Sequence, residues 1–119
     1  MKETINIEKI LREINSFSEA RDWNQFHSIK NLSMALSVES SELVEIYQWI
    51  SEKESNDLTN EMIKNKATEE LADIFIYLLR IASKLEVDLE QATLDKIKLN
   101  EIKYPVDKAK GNSKKYNEF

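Results

Sequence analysis

Residues 70–82, ELADIFIYLLRIA, are apolar around most of a helical circumference, and a helix of that kind has to be surrounded by other elements. One glycine and one proline in 119 residues, with few hairpin signals, leave helices as those elements. The expectation is an all-α domain, a bundle of four to five helices, with this segment as its central and most enclosed member. A first helix is expected over about residues 5–20, where Ile7, Ile10, Leu11, Ile14 and Phe17 recur at helical spacing, and a second over about 28–50. The third begins near Thr59 or Asn60, and the fourth follows Asp88 and stops before Pro105, with Asp88 and Gln91 at capping-box spacing. SEKESNDLTN reads as a polar loop. Residues 1–104 then form the helical domain, and 105–119, VDKAKGNSKKYNEF preceded by the proline, read as a basic arm of the same domain rather than an element.

The second helix contains VESSELVEIYQW, residues 38–49, and its acids sit where apolar residues belong. Leu32, Leu36, Leu43, Ile46 and Ile50 share one side; Glu39 falls among them, Glu42 on their flank, and Glu45 outside. A carboxylate withdrawn from water costs several kcal/mol unless a cation or a donor meets it. The third helix repeats the pattern, because TEELADIF puts Glu70 and Asp73 on one side, beside Leu71, Phe75, Leu78 and Ala82 and a turn before Tyr77. Two pairs at i,i+3, each presenting neighbouring side chains, place four carboxylates together if the helices face each other. Such a group calls for a divalent cation, and oxygen ligands favour Mg²⁺ or Mn²⁺ over Zn²⁺. A di-iron centre wants Glu-x-x-His motifs, and the single histidine, His27, lies outside both pairs.

Charge is unevenly spread around the net −5. Residues 39–73 hold ten acids against three lysines, and residues 96–119 hold seven lysines against three acids, a distribution suited to a metal with phosphates attached. The acidic total and the lack of a long basic stripe exclude duplex nucleic acid as the expected partner. No run approaches the roughly 20 apolar residues of a membrane span, and the start is charged and amphipathic rather than a signal peptide, so a cytoplasmic protein is expected. There is no cysteine for disulfides or thiolate metal sites. Trp23, Trp49 and Tyr77 lie near the acids in sequence or on the helical wheel and are candidates to stack on a base, with ordinary packing as the alternative. Lys96, Asn100 and Lys103 share a face of the fourth helix, next to Tyr104, and with His27 at a helix start are candidates for phosphate oxygens.

The blocks RDWNQFH, VESSELVEIYQW, EELADIFIYLL and VDLEQATLDKIKLNEIKYPVDKAKGNSKKY, in that order over about residues 17–117, resemble the MazG-like all-α nucleotide pyrophosphohydrolases, especially their dCTP pyrophosphatase branch. The resemblance implies Mg²⁺ held by Glu39, Glu42, Glu70 and Asp73, and hydrolysis of a nucleoside triphosphate to monophosphate and pyrophosphate. Glu39, Glu42 and Glu45 are then the candidates for orienting or deprotonating the attacking water. It further implies that Trp23, Trp49 and Tyr77 line the base and sugar pocket, that Lys96, Asn100 and the basic arm attend the phosphates, and that dimers or dimer-of-dimers tetramers share sites between subunits. Vertebrate members carry a base-contacting histidine at the position of Ile14, which leaves base preference open. The alternatives are the same reaction with dUTP or a broad house-cleaning range of nucleotides, and a non-catalytic helical module that binds a basic partner.

Overall fold

The structure, a computed structural model, describes residues 4–119, so the charged start at residues 1–3 lies outside it. The described residues are helices, turns and loops, as the sequence led us to expect. They comprise α1 (Ile7–Ala20), α2 (Ile29–Tyr47), α3 (Glu52–Ser55), α4 (Glu61–Lys84), α5 (Leu89–Lys103) and α6 (Val106–Ala109), with 3-10 turns at Asn24–Phe26 and Tyr116–Glu118. The chain forms two compact units, Met1–Leu85 and Glu86–Phe119.

In the first unit α2 packs along α4, with α1 against α4 as well. Glu39 meets Glu70 and Asp73, whereas Ile46 shares a groove with Ile63, so α2 and α4 run antiparallel. Leu32, 1% exposed, is the most enclosed large side chain, and Ile14, Ala67, Leu79 and Ala82 are buried with it. The helix starts follow side-chain chemistry: Ser28 Oγ accepts from the Asn31 amide, and Asn60 Oδ1 from that of Ile63. Helix α1 stops in a Schellman turn. The Asp22 amide donates to the Glu19 carbonyl and the Trp23 amide to the Ser18 carbonyl, with Asp22 in the left-handed region at φ 54°. That turn folds Trp23 and Asn24 back toward the end of α1.

Three expectations are corrected. The segment read as a polar loop contains α3, held by a reciprocal capping box in which Ser51 Oγ accepts from the Glu54 amide and the Glu54 carboxylate accepts from Ser51. The tail is not a bare arm: Pro105 starts α6, and Tyr116 and Phe119 meet Tyr104 edge to face at 6.1 and 5.8 Å. Six α-helices therefore stand, among the described residues, where four to five were expected. Finally, α4 is not enclosed all round. Ala67, Leu79 and Ala82 are buried, but Leu71 is 56% and Leu78 38% exposed, because α1 and α2 occupy only part of its circumference.

Truncating the most enclosed side chain tests the α2–α4 packing. Leu32→Ala should cost about 2–5 kcal/mol in unfolding free energy, read from denaturant midpoints at constant slope. A loss within experimental error would show that the position collapses or is wet.

Candidate active site

The antiparallel pairing brings Glu39 from α2 against Glu70 and Asp73 from α4, with one oxygen of each within 4.8 Å of the others. Glu39 Oε2 and Glu70 Oε2 are buried and have no hydrogen-bond partner, which for carboxylates is costly. Burial first, then the hydrogen bonds and charges of Glu70, Glu42 and Asp73, push the Glu39 carboxyl up to about 7. Glu70 is raised too: its hydrogen bond with Glu39 pulls it down, but desolvation together with Glu42 and Asp73 outweighs that pull. Carboxyls brought this close disfavour one another's charged forms, which is why both are raised. The oxygen-only donor set and its orphaned atoms fit a hard divalent cation. Glu42 stands outside the trio but close enough to act on both Glu39 and Glu70. With Glu45, Ile46, Ile63, Lys66, Glu69 and Glu70 it lines a groove of about 550 Å³.

Asp73 also opens onto a second cleft of about 670 Å³, whose lining includes Ile14, Phe17, Trp23, His27, Tyr77 and Arg80. Trp23 packs edge-on against Phe17 at 5.5 Å and His27 at 6.3 Å, and Arg21 lies 3.7 Å over the Phe17 ring. Burial, then the charges of Glu39 and Asp73, raise the Tyr77 hydroxyl above its ordinary pKa and keep it protonated. His27 is shifted the other way, by burial and then by Arg80 and Lys84, so its imidazole stays neutral. Along α4, Glu70, Asp73, Tyr77 and Arg80 form one stripe that runs from the carboxylates into the cleft.

The remaining expected residues are placed differently. Trp49 lies beyond the end of α2, 88% exposed, and lines neither cavity. Lys96, Asn100, Lys103 and Tyr104 belong to the second unit. There Lys103 Nζ sits 4.9 Å over the Tyr116 ring, the Tyr104 amide donates to the Asn100 carbonyl, and Lys96 is exposed. Sequence reasoning missed Arg80 with its partners Ser18 and Asn24. The signal was present, because Arg80 is the only basic residue in ELADIFIYLLRIA and continues the 70, 73, 77 stripe.

The model of the MazG-like family matches residues 34–119. The chain belongs to the MazG-like family. It is 39% identical to mouse dCTP pyrophosphatase 1 over 95% of its length and 67% of that protein's, and 40% identical to the bovine enzyme of the same name, with 95% and 68% covered. A crystallised pyrophosphatase from Archaeoglobus fulgidus superposes with a TM-score of 0.76 at 33% identity, covering 88% of this chain and 97% of that one. The family and the all-α fold expected from the motif blocks are thus borne out, and the relatives are enzymes of the expected pyrophosphatase class.

The carboxylate trio dictates a pH response. The folded state binds the Glu39 proton more tightly than the unfolded chain does, so this contribution to stability is present below the ordinary value of 4.5 and is lost as pH rises through about 7. In chelator, the melting advantage of the parent over Glu39→Gln should shrink from about pH 5 to about pH 8. An advantage that grows over that range would mean that Glu39 has a donor or cation of its own.

Proposed function

We propose that this family member hydrolyses a nucleoside triphosphate between the α and β phosphates, with dCTP, or a modified dCTP, as the substrate and dCMP and pyrophosphate as products. The carrying observation is the trio of Glu39, Glu70 and Asp73, with unpartnered oxygens on Glu39 and Glu70 and with Asp73 also lining an aromatic cleft. In this reading Glu39, Glu42, Glu70 and Asp73 hold Mg²⁺, for which Mn²⁺ can substitute. When bound, the cation supplies positive charge to the phosphate oxygens and acidity to the attacking water.

The chain's own residues do the rest. Glu42 and Glu45 line the groove beside Glu70, where a carboxylate can orient the attacking water and accept its proton. The water oxygen forms a bond to the α-phosphorus, the bond from that phosphorus to the α–β bridging oxygen breaks, and pyrophosphate leaves with the bridging oxygen. Trp23 and Tyr77 line the cleft that opens from Asp73 and offer flat faces to base and sugar. His27, neutral and in the same cleft, suits a base or sugar contact better than the phosphate contact expected from its place at a helix start. Lys96, Asn100, Lys103 and Tyr104 lie in the second unit, and their ammonium, amide and hydroxyl donors suit phosphate oxygens. Trp49 lines neither cavity of its own chain, so its part in binding the nucleotide belongs to an interface between copies, and a homodimer or dimer-of-dimers tetramer is part of this proposal. A cytoplasmic setting is part of the same proposal, and no helix among the described residues is long and apolar enough to cross a membrane.

With Mg²⁺ or Mn²⁺ the protein should convert dCTP to dCMP and pyrophosphate, followed by chromatography and a pyrophosphate assay, and chelator should stop the reaction. Detection of dCDP and orthophosphate would overturn the assignment. Glu42→Gln should lower the rate by about 10²-fold or more while leaving the metal-free protein as stable as the parent, and it should reduce the melting shift that Mg²⁺ confers. Early melting in chelator with an unchanged Mg²⁺ response would instead mark Glu42 as a structural acid.

A further inference from the structure

The turn that carries Trp23 and His27 has no local means of fixing where it stands against α4. Its other side-chain hydrogen bonds are short-range: Arg21 donates to the Phe17 carbonyl, Gln25 to Asp22, and Asn31 to the Phe26 carbonyl. Burial does not hold it either, since Trp23 is 43% and Phe17 49% exposed. Arg80 supplies what is missing. Its Nη1 donates to Ser18 Oγ at 2.9 Å and its Nη2 to Asn24 Oδ1 at 3.0 Å, across 62 and 56 residues of chain. Ser18 accepts the Trp23 amide on its carbonyl, and Asn24 accepts that of His27. One guanidinium from α4 therefore grips the chain on both sides of Trp23.

Arg80 is 6% exposed, and both groups that hold it are neutral, an expensive setting for a cation. A planar fork accounts for the choice, because it presents two donors at a fixed separation, which neither a single ammonium nor an apolar side chain can do. The cleft has two walls. Phe17, Trp23 and His27 come from α1 and the turn, and Asp73, Ile76 and Tyr77 come from α4. Arg80, three residues beyond Tyr77, is a polar tie between them.

We propose that Arg80 is a positioning residue: clamping Ser18 and Asn24 to α4, it fixes the distance between the Trp23 wall and Tyr77, and so sets the grip of the cleft on the nucleoside end of a substrate that it does not itself touch. The assignment rests on the proposed nucleotide chemistry and deepens it. A wall ordered in advance spares the ligand the cost of ordering it. Without the clamp that cost falls on nucleotide binding, while the carboxylates, held by the α2–α4 packing, keep their response to a cation.

The full-length parent, Arg80→Met, which is similar in length and has no donors, and Asn24→Ala would be compared by calorimetry of dCMP with Mg²⁺, by dCTP turnover, and by melts in chelator and in Mg²⁺. Arg80→Met should weaken dCMP about 10-fold or more, as misplacement by a fraction of an ångström does. KM for dCTP should rise in parallel with kcat held within about threefold, and the melting shift conferred by Mg²⁺ should stay as in the parent. Asn24→Ala should show a smaller loss of the same kind and add nothing in the Arg80→Met background, because both remove one clamp. With Trp49→Phe as background, Trp23 is the only tryptophan, and its fluorescence anisotropy should fall in Arg80→Met.

Unchanged dCMP affinity in Arg80→Met, whatever its melting temperature, would overturn the proposal and leave Arg80 a structural pin. A weakened affinity accompanied by a lost Mg²⁺ response would overturn it too, as general loosening. Should Arg80→Met not fold, the dCMP affinity of Asn24→Ala decides in the same way. A parent that binds no dCMP leaves the clamp no grip to set and overturns it, whether or not pyrophosphate is released from dCTP. A parent that binds dCMP but releases no pyrophosphate removes the proposed reaction, and the clamp then stands or falls on dCMP binding alone.

Discussion

Carboxylates do not gather between packed helices unless something holds them there, and here the holding is done by α2 and α4. Leu32, Ala67, Leu79 and Ala82 are buried at or near the contact, and their burial sets the register that brings Glu39 to Glu70 and Asp73. The acids do not stabilise that register; they oppose it, and the raised Glu39 and Glu70 carboxyls show the opposition as protons retained to higher pH. A site of this kind is stabilised by what it binds. A divalent cation that prefers the folded trio to the unfolded chain adds stability by mass action, so occupancy and fold strength are linked through the same carboxylates. Fold and site are therefore not separable layers in the first unit.

The same helix carries charge of opposite sign two turns further on. From Asp73 to Arg80 α4 rises roughly 10 Å, with Tyr77 between them on the same stripe. The carboxylate end requires a cation before it can accept anything anionic. At the arginine end the acceptors are neutral, Ser18 Oγ and Asn24 Oδ1. A nucleotide has that polarity, phosphates at one end and a carbonyl-bearing base at the other. In the proposed reading the nucleotide therefore lies along the stripe, phosphates toward the carboxylates and base toward the cleft.

How much of this was legible in the sequence depended on whether a signal was periodic. The acids were legible because i,i+3 spacing beside an apolar stripe has one geometric meaning on a helix, and the pairing of α2 with α4 then brought Glu39, Glu70 and Asp73 together. The cap at Asp88 was legible for the same reason, and the one at Ser51 should have been, since SEKE has capping-box spacing. The exposed side of α4 was not legible. An all-round apolar helix does not say which part of its circumference its own chain covers, and Leu71 and Leu78 fall on the part left open. Trp49 carries the same ambiguity, because a wheel gives direction but not depth, and at 88% exposure it meets neither cavity of its own chain. Arg80 was passed over because a lone arginine in an apolar run reads as an interruption, when its spacing from Tyr77 makes it a continuation.

Separating the two ends of the stripe separates two functions. In the proposed reading the carboxylates hold the cation that meets the phosphates, which every nucleoside triphosphate shares, so they do not select one base over another. Selection has to come from the cleft, where Ile14, Trp23, His27 and Arg80 leave a small number of polar atoms against apolar and aromatic walls. A site built this way can change its substrate through the cleft alone. The carboxylate end bears the electrostatic strain, and Arg80 at the other end is fastened by hydrogen bonds from its charged guanidinium to two neutral acceptors, Ser18 in α1 and Asn24 in the turn after it.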